Sequence, residues 1–252
     1  MKNWYITFVW LFGLLFVPRL FGCEMTVRTY PSAPLAILHE DKSWSGIDID
    51  YSKALIDAIG CEYRFVAVPW ARALQLLKTG DIDMMVNVTK SKAREQDYYF
   101  IGPQRHETIR LVSRVGAFDL IETWQQFATL DATLMRQKGS LFDNHFEKAL
   151  RSNFRLKARL VELRSNEIIM GLIKKRRIDG VFAEQLVLKH RIKHDKTIPP
   201  LEIHPLVMSS IPVYYAFSKK NFTEQQFAQF KQAFEQLQQS DKFKRLSELY
   251  YE

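Results

Sequence analysis

Apolar residues recur near the start of this chain at two spacings, one typical of buried strands and the other of amphipathic helices. Short apolar runs predict strands over residues 25–30 and 63–68. Between them, apolar side chains lie at i, i+3, i+4, i+7 and i+8 from Tyr51. We therefore expect a helix there, which Asp50 caps and Gly60 ends.

The pattern continues with a helix that Pro69 opens and Gly80 closes, and with a nearly continuous apolar run over residues 82–88. Such a run of strand length is typical of a strand that is buried on both faces. The order strand, helix, strand, helix, strand predicts a largely parallel sheet with right-handed crossovers.

Residues 76–86 and 172–182 repeat one pattern, a Leu-rich helix end, a polar turn and an Ile-Asp pair that leads into a buried strand. Each copy follows a predicted strand, over residues 64–68 and 159–163, and a helix start, which is Ser165 in the second copy. Two copies of a β-α-β unit at this distance predict two similar lobes. A solenoid would need shorter and more numerous repeats.

Two further strands are placed to cross between the lobes. Residues 108–115 form a predicted strand that leaves the first lobe, and residues 211–218 form one that returns to it. Helices expected from Thr223 and from Ser240 then pack on the first lobe. We therefore predict an α/β fold of two similar parallel-sheet lobes, joined by two hinge strands around a cleft.

Polar side chains follow the buried strand over residues 82–88. Asn87, Thr89 and Ser91 supply amide and hydroxyl groups, and Arg94 comes just beyond them. Hydroxyl and loop N–H groups donate hydrogen bonds, and a guanidinium can take a carboxylate through two parallel bonds. This strand end predicts a site for a small carboxylate. The alternative is a surface Arg94 that pairs with a nearby acid.

Ligands of open α/β sheets bind at the carboxyl ends of the strands. Applied to both lobes, this rule selects Tyr30 and the turn to Pro34, Trp70, Asn87, Thr89, Ser140 and Glu184. Gly139 and Ser140 are also expected to open a helix over residues 141–150, whose first N–H groups favour an anion.

Three of the candidates have an alternative interpretation. Trp70 either stacks on a ligand or anchors its helix in the core, and Arg72 faces either the cleft or the solvent. Glu184 is either a cleft acid or a solvated acid at the start of a helix over residues 185–193.

Thr89, Ser91 and Arg94, followed by the aromatic run Tyr98-Tyr99-Phe100, form a pattern that resembles family 3 periplasmic solute-binding proteins, the polar amino-acid receptors of ABC importers. The resemblance covers essentially all of the chain after residue 22. It implies the type II, Venus-flytrap form of the periplasmic binding protein fold. The lobes are then expected over residues 23–112 plus 212–252 and over residues 113–211.

The resemblance also implies roles for single residues. Arg94 is expected to bind the α-carboxylate of an amino acid. Glu184, five residues beyond Asp179, is expected to bind the α-ammonium, at a position where the family usually has Asp. One charge on each lobe would make ligand binding and closure a single event. Asp48 and Asp50 match the family's entry to the first helix, and we interpret them as structural rather than as a catalytic pair.

Residues 1–22 have the pattern of a secretory signal peptide. Lys2 gives a basic start, and residues 4–17 form an apolar stretch of 14 residues, too short to span a bilayer comfortably. We expect removal of this segment and a periplasmic mature protein. The alternative is an anchor that stays attached.

The chain has two cysteines, Cys23 and Cys61, each just before a predicted strand. If those strands are neighbours, the cysteines are close enough for a disulfide, and an exported chain meets an oxidising compartment. The alternatives are a lipid anchor at Cys23 and two free thiols. We favour the disulfide.

Composition limits the partners. The formal charge of +8 falls to +6 once Lys2 and Arg19 leave with the signal peptide, which is too modest to require nucleic acid. The basic run 174–177 is interpreted as a solvated face. His190 and His194 stand at i, i+4 without a third ligand, so we expect no metal and no cofactor.

The combined prediction is a monomeric, non-enzymatic receptor for an amino acid or a similar small polar solute, with a membrane permease or sensor protein as its partner. The first alternative is an enzyme of the cyclohexadienyl dehydratase type on the same fold, with Glu184 as its acid. The second is an accessory receptor that reports to a membrane sensor.

Overall fold

The computed structural model of the protein describes residues 23–163, 168–243 and 245–246, and the predicted signal peptide and Ser165 lie outside them. Its strands are β1 (Glu24–Thr29), β2 (Ile37–Leu38), β3 (Trp44–Ser45), β4 (Glu62–Ala67), β5 (Met84–Thr89), β6 (Tyr98–Arg114), β7 (Leu134–Gln137), β8 (Val161–Leu163), β9 (Gly180–Glu184) and β10 (Leu201–Ser218). Its helices are α1 (Ile47–Asp57), α2 (Trp70–Thr79), α3 (Trp124–Thr129), α4 (Asn144–Ser152), α5 (Phe154–Arg159), α6 (Ile169–Lys174), α7 (Gln185–His194) and α8 (Glu224–Gln239).

One sheet of eight strands runs through the molecule in the order β4-β1-β5-β10-β6-β9-β7-β8. β1 is parallel to β4 and β5 at one end, and β7 is parallel to β8 and β9 at the other. β6 and β10, antiparallel to each other, lie between these two parallel parts. The predicted parallel units are therefore present, and the predicted crossing strands are segments of β6 and β10.

The parallel part with β1, β4 and β5 is the sheet of the first lobe. α1 and α8 pack on one face, where Leu55 and Phe234 are buried, and α2 packs on the other face with Leu77. Phe243 also packs against the first of these cores, as expected for the C-terminal segment, whereas predicted core residue Leu249 lies outside the described residues.

The part with β7, β8 and β9 is the sheet of the second lobe. On one face, Phe146 and Phe182 meet with their ring centroids 4.9 Å apart, and Phe127 joins them. On the other face, Ile173 of α6 and Leu188 of α7 are buried. Each lobe thus buries apolar side chains on both faces of its own parallel strands. The exact bounds of the lobes stay a prediction.

β5 contains a local change of direction that matters for the site. Asn87 adopts a φ of 58°, in the left-handed region that Asn tolerates better than most residues. Side chains of a regular strand alternate between the two faces. Here Val88 instead packs in the same core as Met85, against α2. The predicted strand is confirmed, and its end is turned at Asn87.

Two predicted helix starts are wrong. α1 begins at Ile47 with Gly46 before it, so Asp50 lies in the first turn and does not cap the helix. The helix predicted over residues 141–150 begins only at Asn144. Asp143 caps it, because a carboxylate oxygen of Asp143 accepts a hydrogen bond from the N–H of Phe146, and Gly139 and Ser140 therefore do not open it.

Cys23 and Cys61 form the predicted disulfide, with their Cα atoms 4.9 Å apart. They precede neighbouring strands, since Glu24 pairs with Glu62 in the parallel ladder of β1 and β4. The sulfur of Cys23 is used by the disulfide, which leaves no thiol there for a lipid. Within the described ranges, no helix combines the length and the apolar character that a membrane span requires.

Candidate functional site

A cavity of about 180 Å³ lies between the two lobes. An apolar cavity of ~150 Å³ holds a molecule of the size of benzene, so this one has room for a small metabolite. It is lined by the carboxyl ends of β1, β5 and β9, by the loop after β7 and by the middle of β6. Both lobes therefore contribute to its walls, as expected for open α/β sheets.

Six of the eight predicted ligand-binding residues line this cavity, namely Tyr30, Trp70, Asn87, Thr89, Ser140 and Glu184. Arg72 is exposed on α2 and does not line it. Arg94 does not line it either and lies in a short 3-10 helix, Arg94–Gln96, beyond β5. The structure thus brings most of the predicted site together and places its two predicted arginines elsewhere.

The carbonyl oxygen of Gly139 joins the lobes at the margin of the cavity. Arg94 donates to it from one terminal nitrogen at 2.7 Å, and Trp70 donates from Nε1 at 3.2 Å. The other terminal nitrogen of Arg94 donates to the backbone carbonyl of Thr89 at 2.8 Å. Two side chains of the first lobe therefore hold one backbone atom of the second. Trp70 is also part of the core beneath α2, as its second interpretation predicts, and its stacking on a ligand stays a prediction.

Arg105 of β6 is the centre of a buried polar network. Its Nε donates to the side-chain oxygen of Asn87 at 3.1 Å, and one terminal nitrogen lies 3.5 Å from the Glu184 carboxylate. The amide of Asn87 in turn donates to the carboxylate of Asp48. Because charged groups are rarely buried without partners, this network explains how Asp48 and Glu184 are tolerated between the lobes.

Glu184 has two further contacts that fix its position. It is the last residue of β9 and the N-cap of α7, since its carboxylate accepts a hydrogen bond from the N–H of Val187 at 3.0 Å. Burial raises its pKa, while Arg105 and the helix N–H groups act in the opposite direction. The side chain is 9% exposed, so the interpretation of Glu184 as a solvated acid is wrong.

Three carboxylates line the cavity: those of Asp48, Glu107 and Glu184. Burial raises the pKa of Asp48, opposed by Arg105, Asn87 and Arg28. Burial also raises the pKa of Glu107, to about 7; Arg105 opposes this shift, and the charges of Glu184 and Asp48 add to it. Asp48, which we predicted to be structural, therefore also lines the cavity.

Arg28 is a cation of the cavity wall that the sequence argument missed. It stands near the end of β1, where its Nε donates to the backbone carbonyl of Val68 at 2.9 Å. Its guanidinium carbon lies 5.3 Å from the ring centroid of Trp70 and 5.6 Å from that of Tyr30. Burial lowers the pKa of Arg28 to about 10, opposed mainly by Asp48, so it stays protonated at neutral pH.

Arg28, Arg105 and Glu107 share one reason for having been missed. Each is a charged residue within a strand, a position that sequence alone assigns to the solvent face. A signal was present, because Arg28 stands one residue before the end of β1 and the other two lie on a strand that crosses between lobes. Within the described residues, no group of three or more His, Cys, Asp or Glu side chains is arranged to hold a metal ion.

Two lobes that share a charge-lined cavity define a receptor that encloses a small solute. Residues 25–252 match the bacterial extracellular solute-binding proteins, family 3, and the chain belongs to this family. Family membership favours a solute-binding protein over the dehydratase interpretation.

Solved structures confirm the fold at low sequence identity. An ancestral arginine-binding protein bound to arginine is 19% identical, with a TM-score of 0.76 over 91% of this chain and 98% of that one. A Salmonella typhimurium periplasmic binding protein with high arginine specificity is 18% identical (TM-score 0.74, 92% and 100% covered). A Streptococcus pneumoniae ABC transporter substrate-binding protein with bound histidine is 18% identical (TM-score 0.75, 90% and 92% covered). No curated protein sequence matches the chain.

Proposed function

We propose that this protein is a periplasmic receptor that captures an amino acid or a similar small polar solute and delivers it to an ABC importer. The observation that carries the proposal is the cavity between the lobes, which is small and is lined by both carboxylates and guanidinium groups. A buried charge is stable only when it is paired. A site that offers both signs of charge suits a solute that carries both.

The related structures support the same class of ligand, since they hold arginine and histidine. Their ligands are α-amino acids with a carboxylate and an ammonium. In the present chain, the apolar part of such a ligand would meet Phe142 and Phe182 of the second lobe and the ring of Tyr30 in the first, all of which line the cavity.

We expect closure from the way in which the cavity-lining residues are divided between the two lobes. Tyr30, Trp70, Asn87 and Thr89 belong to the first lobe, and Glu184 belongs to the second. A ligand that contacts both sets binds the closed form more tightly than the open form and therefore shifts the equilibrium towards closure. Glu184 remains our candidate for the ammonium contact. The predicted carboxylate contact of Arg94 would require this residue to give up a backbone carbonyl.

The same proposal covers location and partners. Residues 1–22 act as a secretory signal, the mature chain works as a monomer in the periplasm, and its partner is the permease of the importer. We propose no enzymatic activity, because the carboxylates of Asp48 and Glu184 are engaged with Asn87 and Arg105 in a polar network.

The test is a thermal-shift screen of residues 23–252 against the twenty standard L-amino acids. A ligand at 100 times its dissociation constant adds ~2.7 kcal/mol to the free energy of unfolding, which raises the midpoint by roughly 5–10 °C at this size. The Glu184→Gln variant should lose most of the shift. Glu122→Gln, at an exposed glutamate outside the cavity, is the matched control and should keep it. If none of the twenty moves the midpoint, the proposal of a standard amino acid as the ligand is refuted.

A further inference from the structure

Two side chains of opposite charge, Arg28 and Glu107, line the cavity and form no ion pair among the described residues, although Asp48 acts on Arg28 and Arg105 acts on Glu107 at longer range. The hydrogen bond of Arg28 in the described part of the chain runs from Nε to Val68, which leaves its two terminal nitrogens for another acceptor. The side chain of Glu107, on β6, has neither a hydrogen bond nor an ion pair among the described residues. Both side chains are half-buried, and a bound molecule that covers them would have to supply their partners, because unpaired buried charges are costly.

The guanidinium of Arg28 is held in place before any ligand arrives. The hydrogen bond from Nε fixes one edge of the group, and the rings of Trp70 and Tyr30 flank it within 6 Å. A planar guanidinium with a fixed edge presents its free N–H groups in the fork geometry that matches a carboxylate. Little side-chain entropy then remains to be lost on binding.

Glu107 stands among groups that are already paired. Arg105, the cation that acts on it, contacts the carboxylate of Glu184 and the side chain of Asn87. The other charges that reach Glu107 are those of Glu184 and Asp48, and both are negative. Glu107 therefore shares the charge of Arg105 with Glu184, and an ammonium would give it a cation of its own.

Arg28 and Glu107 do not form an ion pair with each other, and neither is among the charges that shift the other's pKa. Their charged groups are therefore not in direct contact. Arg94, by comparison, uses both terminal nitrogens on backbone carbonyls and stands outside the cavity wall.

We propose that Arg28 binds the carboxylate of the solute and that Glu107, beside Glu184, binds its amino group, while Arg94 holds the lobes together through Gly139. The ligand is thus a zwitterion that spans the cavity. This inference rests on the proposed function and names the residues that give it specificity. Arg28 recognises the carboxylate of the ligand, and Glu107 recognises its amino group.

The experiment compares an amino acid with its decarboxylated amine. The probes are the L-amino acid with the largest shift in the screen and the amine that differs from it only by the carboxylate, and calorimetry gives the dissociation constant of each. The wild type should prefer the amino acid about 100-fold, the usual scale for a buried charge contact. Arg28→Met should lower affinity for the amino acid about 100-fold and leave the amine unchanged, so that the preference disappears.

Two controls separate this role from a structural one. Arg28→Lys keeps the charge and should retain part of the preference, which a folding defect would not produce. Arg94→Met should weaken both probes by the same factor, because it acts on closure. If Arg94→Met removes the preference and Arg28→Met keeps it, the inference is wrong and the proposed function stands. If no amino acid binds the wild type, both are wrong.

Glu107→Gln provides the second arm, with the N-acetyl form of the same amino acid as its probe. The wild type should discriminate strongly against the acetylated probe, which has lost its positive charge. In Glu107→Gln the affinity for the unmodified amino acid should fall to about the level of the acetylated one. Unchanged discrimination in this variant would overturn the assignment of Glu107.

Discussion

Glu107 should make the ligand-free protein less stable as the pH rises, and Glu107→Gln should remove this effect. The carboxyl group titrates near its ordinary pKa of 4.5 in the unfolded chain and at about 7 in the folded protein. Between these values the folded state keeps a proton that the unfolded state has lost. The free energy of unfolding therefore falls from pH 4.5 to pH 7, and the loss is complete above pH 7.

The size of the effect follows from the shift. A difference of one pKa unit corresponds to 1.36 kcal/mol, so a rise from 4.5 to about 7 sets an upper limit of about 3 kcal/mol. Because Glu107 is half-buried, solvent screening lowers the expected value to roughly 1–2 kcal/mol. Arg105 acts against the shift, whereas Glu184 and Asp48 add to it.

The assay is urea unfolding of wild type and Glu107→Gln without ligand at pH 4.5, 6 and 8. All other titrating groups are common to both proteins and cancel in the difference. Between the lowest and the highest pH, the free energy of unfolding of the variant should rise relative to that of the wild type by roughly 1–2 kcal/mol. Glu122→Gln, at an exposed site, should show no such gain. A difference between wild type and Glu107→Gln that stays constant with pH would refute the reasoning.

Three further predictions concern the frame of the site. Replacing Cys23 and Cys61 together by Ser opens a loop of 38 residues and should lower the free energy of unfolding by about 4 kcal/mol in urea titrations. Equal stability of the oxidised protein and the variant would contradict this prediction. Gly46→Ala puts a side chain at φ 115° and 2.6 Å from a backbone oxygen, so it should cost about 2 kcal/mol or more in the same assay; a loss below 0.5 kcal/mol would speak against it. Trp70→Phe removes the hydrogen bond that Trp70 donates to Gly139 and should weaken closure by about 1 kcal/mol. The distances between two spin labels, one on each lobe, should then show a larger fraction of the open form. An unchanged distance distribution would count against a role of this hydrogen bond in closure.

Most of the fold could be predicted from the sequence because the local spacing of apolar residues determines which segments form strands and which form helices. The apolar run that became β5 and the amphipathic spacing that became α2 are dictated by burial on one or two faces, and the structure confirms both. The two lobes followed from the repeat of one β-α-β unit. Helix starts were less predictable, since Asp143 rather than Ser140 caps α4 and both residues are good candidates by type.

The site was predictable only where it follows the strand-end rule. Asn87, Thr89 and Glu184 were found in this way, and each lines the cavity. Arg28 and Glu107 were not found, because their burial depends on how the second lobe lies over the first. No local pattern encodes that distance, and a charged residue within a strand has the same local pattern whether it faces water or a closed cleft.

The position of β10 has a consequence for how this protein reaches its native state. β10 is the last strand of the chain, yet it lies between β5 and β6 in the sheet. Val213 pairs with Thr89, and Phe217 pairs with Met84. A growing chain cannot complete the first lobe until residue 218 is available, and contacts between such distant residues slow folding. A fragment that ends earlier would leave β5 with an unpaired edge that favours aggregation. Completion of the first lobe therefore comes only after most of the chain has been made.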